Sequence, residues 1–195
     1  MKESRVAADV TRAAVELFAT QGYQTTSVQQ IVEAAGVTKG AMYHYFASKD
    51  DLLFGIYDDL LTLQKSHLDA IIAAGGDVED MMRAICADVL ETSIDHLREG
   101  SVFFQSLHLL SEPRRVEVSR RRREYHDAFS AVIERGRREG RFRVDIPVGV
   151  LVAHFFSDAH YLAQWYSPGG PESAALVAAQ LTDLYLASLR RPDVR

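Results

Sequence analysis

The segment from Thr25 to Lys49, TTSVQQIVEAAGVTKGAMYHYFASK, constrains this chain more than any other. It reads as two short helices around a Gly-Val turn, with a polar and aromatic cluster opening the second. That is the layout of a helix-turn-helix, a device that places one helix in the DNA major groove. Ser27 precedes the first helix and Gln30 follows three residues later, a capping box in which the Ser oxygen accepts a backbone N–H and the Gln reaches back. Ile31 and Val32 are expected to bury against the preceding helix. Ala34-Ala35-Gly36 permits close approach, and Gly36 suits the left-handed conformation of a tight turn.

Thr38 caps the second helix, with Lys39 and Gly40 in its first turn. Gly40 costs a helix about 1 kcal/mol relative to alanine. It also leaves that turn bare, so the backbone can approach DNA closely. Met42 and Phe46, four apart, are expected to face inward, while Tyr43, His44 and Tyr45 fall on other faces. Exposed aromatics on a short helix need a reason. Contact with thymine methyls, sugars and phosphates supplies one. Ser48 and Asp51 form a second capping-box pattern. Lys49 stands at the positive end of the next helix, where a DNA phosphate would meet both the lysine and the helix terminus.

The rest of the 195-residue chain is also helical in period, with Gly and Pro at the breaks and no β-alternating runs. The expected fold is all-α, with nine helices near residues 4–21, 28–35, 39–45, 49–73, 78–98, 102–110, 114–138, 148–166 and 171–190. Gly100 is expected to end the fifth and Pro171 to open the ninth. Two regions follow: a helical head over 1–47 and a larger body over 48–195, joined through the fourth helix without a flexible linker.

The net charge of −5 is unusual for a DNA binder, but residues 1–50 carry five Lys/Arg and five Asp/Glu, so the body holds the whole deficit. A neutral head with placed cations suits a sequence-specific reader better than a nonspecific basic coat. The single cysteine, Cys86, allows no internal disulfide and is expected as a small hydrophobe on an apolar helix face. The opening MKESRVAADV has no apolar signal core, and no run of about 18 apolar residues occurs, so a cytoplasmic protein without a membrane partner is expected.

Residues 13–52 resemble the DNA-binding head of TetR-family transcriptional regulators. The matching residues are Ala14, Leu17-Phe18, Gly22, Thr26-Ser27-Val28, Ile31, Ala35-Gly36-Val37-Thr38-Lys39-Gly40, Tyr43, Tyr45-Phe46, Lys49 and Leu52. Val32 stands where the family often has alanine, a packing change. The resemblance implies a nine-helix TetR-like fold, a homodimer with its heads on successive major grooves of a double-stranded operator, and a small-molecule site in each body. By position in the motif, Thr38, Lys39, Gly40, Tyr43 and His44 would face bases or backbone. Ser27, Tyr45 and Lys49 would clamp phosphates. Lys2 and Arg5 are candidates for backbone contact or for solvation alone.

In the body, VGVLVAHFFSDAHYLAQWY over 148–166 is apolar nearly all round, which points to burial on more than one side. The last helix carries Ala174, Ala175, Ala178 and Ala179, which permit close approach, so the two form a candidate isologous dimer face. Val118, Arg122, Tyr125, Phe129 and Val132 share a line expected to face inward, and an inward arginine needs an anion or a buried partner. With Phe103, Phe104, Leu107, His108 and Trp165 these residues are candidates for a site taking an apolar effector with an anionic head. The stretch from Gln164 to Pro171 resembles that of family members sensing acyl-CoA thioesters, and a flat aromatic drug-like ligand is the alternative.

His154, His160 and Asp158 on the eighth helix raise a metal or acid-base possibility, but with no third convergent ligand His154 and Asp158, four apart, are read as a hydrogen-bonded buried pair rather than a metal site. No cofactor or metal is expected, and no nucleophile-base-oxyanion set or phosphate-cradling loop is present. The reading is a ligand-released repressor, not an enzyme. Its rivals are a ligand-activated binder, a helical enzyme using His154 and Asp158, and a ligand-carrying bundle whose head reads no DNA.

Overall fold

The computed structural model describes residues 2–191, with side chains from Arg5 onward, so the candidate side chain of Lys2 lies outside the described residues. Among the described residues there are nine α-helices: α1 (Lys2–Gln21), α2 (Val28–Ala34), α3 (Lys39–Tyr45), α4 (Lys49–Ala74), α5 (Val78–Asp95), α6 (Leu97–Ser106), α7 (Glu112–Arg138), α8 (Val148–Trp165) and α9 (Ala174–Leu189). A single 3-10 turn, Leu107–Leu109, follows α6, and one isolated bridge joins Phe142 and Arg190. The fold is the all-α arrangement expected.

The α5–α6 break and the start of α9 differ from the sequence reading, each for a local reason. The break after α5 falls at His96, whose backbone (φ −111°, ψ 35°) leaves the helix while its N–H still reaches Thr92. Gly100 therefore lies inside α6. It ends nothing because it keeps a negative φ, whereas Gly36 at the α2–α3 turn takes φ 65°. Pro171 precedes α9 instead of opening it. The cap is Ser173, whose Oγ accepts the N–H of Leu176 at 3.2 Å.

The chain divides into two compact units. The first comprises the chain up to Leu60 with Arg98–Ser119, and the second comprises Leu61–Leu97 with the chain from Arg120 on. In the first, α1 packs against α2 and α3 over Val10, Ala14, Phe18, Ile31, Val32 and Met42, all buried. In the second, α5 packs against α8 and α9. Its centre is aromatic: Phe129 lies 5.1 Å from both Phe155 and Phe156, and Tyr185 donates its hydroxyl to the carbonyl of Leu151 at 3.1 Å. Gly136 is required there, because a Cβ would fall 2.0 Å from the Phe142 ring. Cys86 is fully buried and burial pushes its thiol well up, so it stays protonated and unreactive.

Within the single chain, helix α8 buries one broad side (Leu151, Val152, Phe155, Phe156, Ala159 and Leu162). Its other side leaves Val150, Tyr161 and Trp165 more than half exposed, and Leu184 on α9 is 67% exposed. No helix among the described residues is long and apolar enough to cross a membrane.

Candidate nucleic-acid interface and effector residues

The head is built by its caps. Ser27 Oγ accepts the N–H of Gln30 at 3.2 Å, and Gln30 Oε1 accepts the N–H of Ser27 at 2.8 Å, closing the capping box. Thr38 Oγ1 accepts the N–H of Ala41 at 3.1 Å and starts α3. The α1–α2 turn is held by Thr26, buried, whose hydroxyl donates to the Gly22 carbonyl at 2.7 Å and accepts from Gln21 at 3.1 Å.

On α3, Met42 is fully buried, and Phe46, half-buried just past its end, lies against α4 near Gly55. Thr38, Lys39, Gly40, Tyr43 and His44 are exposed, with Tyr43 at 49%, and Tyr45 is half-buried. The His44 and Tyr45 rings meet edge-on at 5.0 Å, which orients the end of this surface. Ser27 is exposed, as is Arg5. Outward polar and aromatic groups thus sit over an inward methionine on one seven-residue helix.

Lys49 differs from its expected role as a free clamp. Its Nζ donates to the carbonyls of Tyr23 at 2.8 Å and Thr26 at 2.7 Å and lies 4.4 Å from the centre of the Tyr23 ring. Burial lowers its pKa. It ties α4 to the α1–α2 turn, with two of three donors engaged. Sequence reasoning missed this because the partners are backbone carbonyls 26 and 23 positions away, which no side-chain pattern marks.

The effector candidates are divided between the units. In the first, Phe103 is fully buried and stacks on Tyr57 (3.6 Å, 8°), while Phe104 is half-buried edge-on to both. Leu107 is half-buried, and His108 is exposed on the 3-10 turn. In the second, Tyr125 and Phe129 are buried and Arg122 is half-buried. Trp165, expected among the cavity residues, is instead 54% exposed, one turn beyond exposed Tyr161. A stripe of side chains on α8 that points away from α5 cannot also line the interior. His154 and Asp158 are likewise exposed, with Nδ1 and Oδ2 3.9 Å apart, which corrects the buried pair read from sequence. Among the described residues no three His, Cys, Asp or Glu cluster as metal ligands.

Two features of the second unit were missed. A cavity of about 260 Å³ lies between α4 and α7, lined by Leu61, Thr62, Lys65, Ser66, Asp69 and residues of α7 including Arg121. The signal was present as a polar stripe at helical spacing, Thr62, Lys65, Ser66 and Asp69. The second is an imidazole pair. His126 on α7 stacks on Phe156 (4.3 Å, 25°), and His160 on α8 lies 5.9 Å from the same ring. Burial, then Arg122, then His126 drive His160 down to about 3. Burial and Arg122 also lower His126, against an upward pull from Asp127.

This has a measurable consequence. Unfolded, His160 protonates near pH 6.5. Folded, it stays neutral down to about 3. Below pH 6.5 the unfolded chain binds the extra proton, so as pH falls stability drops by up to about 1.4 kcal/mol per unit from His160. Urea unfolding at pH 7 and pH 5.5 should show this slope, and His160→Gln should flatten it. An equal slope in that variant would show that His160 is not its source.

Residues 10–56 match the family model for bacterial regulatory proteins of the tetR family, and residues 75–189 match the tetracyclin repressor-like C-terminal domain. The chain belongs to the TetR family of bacterial transcriptional regulators, with α2 and α3 as its helix-turn-helix. It is 33% identical to the HTH-type transcriptional repressor KstR2 of Rhodococcus jostii over 186 residues, 92% of this chain and 88% of that protein. The structure of the ketosteroid transcriptional regulator KstR2 of Mycobacterium tuberculosis has the same fold, with a TM-score of 0.83 at 24% identity over 95% of each chain. So does AibR in complex with isovaleryl coenzyme A and operator DNA, with a TM-score of 0.76 at 21% identity over 95% of this chain and 98% of that one.

Proposed function

We propose that this chain is a transcriptional repressor that binds a near-palindromic operator as a homodimer and leaves it when a small effector occupies the body. The observation that carries this reading is α3, with Tyr43, His44 and Lys39 outward over a buried Met42. Residues 1–47 act as the reading head and residues 48–195 as the effector and dimer body. Thr38, Lys39, Gly40, Tyr43 and His44 meet bases or backbone. Ser27, Tyr45 and the remaining N–H of Lys49 hold phosphates. The two α3 helices sit about 34–36 Å apart, one turn of DNA.

The effector is an acyl-CoA thioester. Arg122, half-buried, shares a face of α7 with the buried aromatics Tyr125 and Phe129, a pairing of cation and apolar groups that suits an apolar acyl group with an anionic carrier. The association of AibR with isovaleryl coenzyme A supports the same class on the same fold. The KstR2 likeness favours a second reading, a polycyclic ketosteroid-type ligand with the bulk of several fused rings. A coupling of about 1–3 kcal/mol between the two sites is enough for release.

The experiment is a titration of operator-bound protein with octanoyl-CoA, isovaleryl-CoA and a free ketosteroid, following DNA retention by fluorescence anisotropy. The operator is a duplex selected by the protein from a random-sequence pool. Release by either thioester supports the proposal, release by the steroid alone transfers it to the second reading, and unchanged affinity at saturation of all three refutes it.

A further inference from the structure

Only three residues, Phe46, Ala47 and Ser48, separate α3 from α4, so the first turn of α4 controls how the reading helix leaves the rest of the chain. That turn carries two adjacent carboxylates. Acidic residues at a helix start are ordinarily explained by the helix dipole, which asks only that they be near the terminus. Here both are aimed sideways at named partners. Asp51 uses one oxygen to accept the N–H of Ala47 at 3.0 Å, closing the α3–α4 junction, and the other to bind the guanidinium of Arg114 on α7. That guanidinium lies 4.2 Å over the ring of Phe54, one turn along α4. Asp50 has both oxygens on Ser111, accepting its N–H at 2.9 Å and its hydroxyl at 2.8 Å. Ser111 immediately precedes α7, and its carbonyl takes the N–H of Arg115 at 2.9 Å to begin that helix.

One carboxylate therefore connects the exit of the reading helix to the start of α7, and its neighbour grips the turn from which α7 departs. From this geometry we infer that Ser111 and Arg114, which are not among the residues proposed to meet DNA, are positioning residues that set the angle of the reading head. Through that angle they determine which half-site spacing the dimer accepts. The inference rests on the proposed DNA-reading dimer. It adds a route that α4 alone does not supply, since a helix that tilts at its base leaves the head free to swivel unless a second element holds that base. The contacts are partly exposed, and such pairs contribute little to folding. Their removal should loosen the angle of the head without unfolding it.

The test uses the full-length chain and duplexes selected by it from a random-sequence pool. Variants are re-tested on the selected duplex, on the same duplex with one base pair inserted or deleted between half-sites, and on a single half-site. For the wild type, changing the spacing by one base pair is expected to weaken binding about 30-fold. In Ser111→Ala/Arg114→Gln the penalty should fall to about 5-fold or less, with half-site affinity within about 2-fold of wild type. Arg114→Lys keeps the charge but not the planar stacking over Phe54, and should fall between. Ser111→Ala alone gives the same direction at smaller size and serves if the double variant folds poorly. An undiminished spacing penalty overturns the inference. So does an equal loss on every duplex, half-site included, which marks a merely structural role. A wild-type chain that selects no duplex at all overturns the DNA-reading proposal and this inference with it.

Discussion

Lys39→Ala/Tyr43→Ala should abolish sequence-specific retention of the selected duplex while leaving the fold intact. Both side chains are exposed on α3, so truncating them removes nothing from the core of the free protein. A side chain reading a base edge is typically worth about 1–3 kcal/mol, and a homodimer carries each change twice. The combined loss should therefore reach several kcal/mol, roughly a thousandfold in affinity or more. If Lys39 also neutralises a phosphate, the dependence of log affinity on log salt should become shallower by about 0.9 for each phosphate left without its cation. Anisotropy titrations at several salt concentrations, with circular dichroism melts of the same samples, separate the two effects. Unchanged affinity in the folded variant would place DNA reading elsewhere or nowhere.

A second large effect is expected from Leu184→Arg. In the single chain Leu184 is 67% exposed and Tyr161 64%, while Val150, Trp165 and Leu176 add further apolar surface on α8 and α9. Those helices turn their other faces to α5, so this surface is what remains after the second unit has formed its own core. A two-fold interface would bury each such residue twice, because the same patch serves both copies. An arginine there would be desolvated in both subunits without a partner, at a cost of about 3–5 kcal/mol. Sedimentation velocity should show a dimer for the wild type and a monomer for the variant at the same micromolar concentration. Operator affinity should fall to that of a lone head. A variant that remains dimeric would exclude this face as the interface.

The two experiments probe residues whose legibility in the sequence differed. Ser27, Gln30 and Thr38 acted as written, because a cap is a contract between residues three apart. Met42 went inward and Tyr43 outward for the same local reason, the 3.6-residue period. Trp165 and His108, grouped with inward residues by the sequence, are exposed in the single chain. Periodicity says which residues share a face, but not whether that face meets the interior, solvent or a second copy. His126 was passed over beside Arg122 because its significance depends on His160 and Phe156, which reach it from another helix. The break at His96 was displaced to Gly100 because a glycine ends a helix only where the chain needs a positive φ.

Within the amino-acid sequence alone lay the all-α class, the helix-turn-helix, its caps and the family, since each depends on contacts spanning a few residues or on a dense ungapped motif. Tertiary structure alone decided that Lys49 ties α4 to the turn at Tyr23 and Thr26, that Asp50 and Asp51 grip Ser111 and Arg114, and that the outer stripe of α8 is left uncovered. These partners are far apart in the chain, and the donors and acceptors are common groups that form many alternative pairs. Only the packing of the apolar faces brings one particular set within hydrogen-bonding distance.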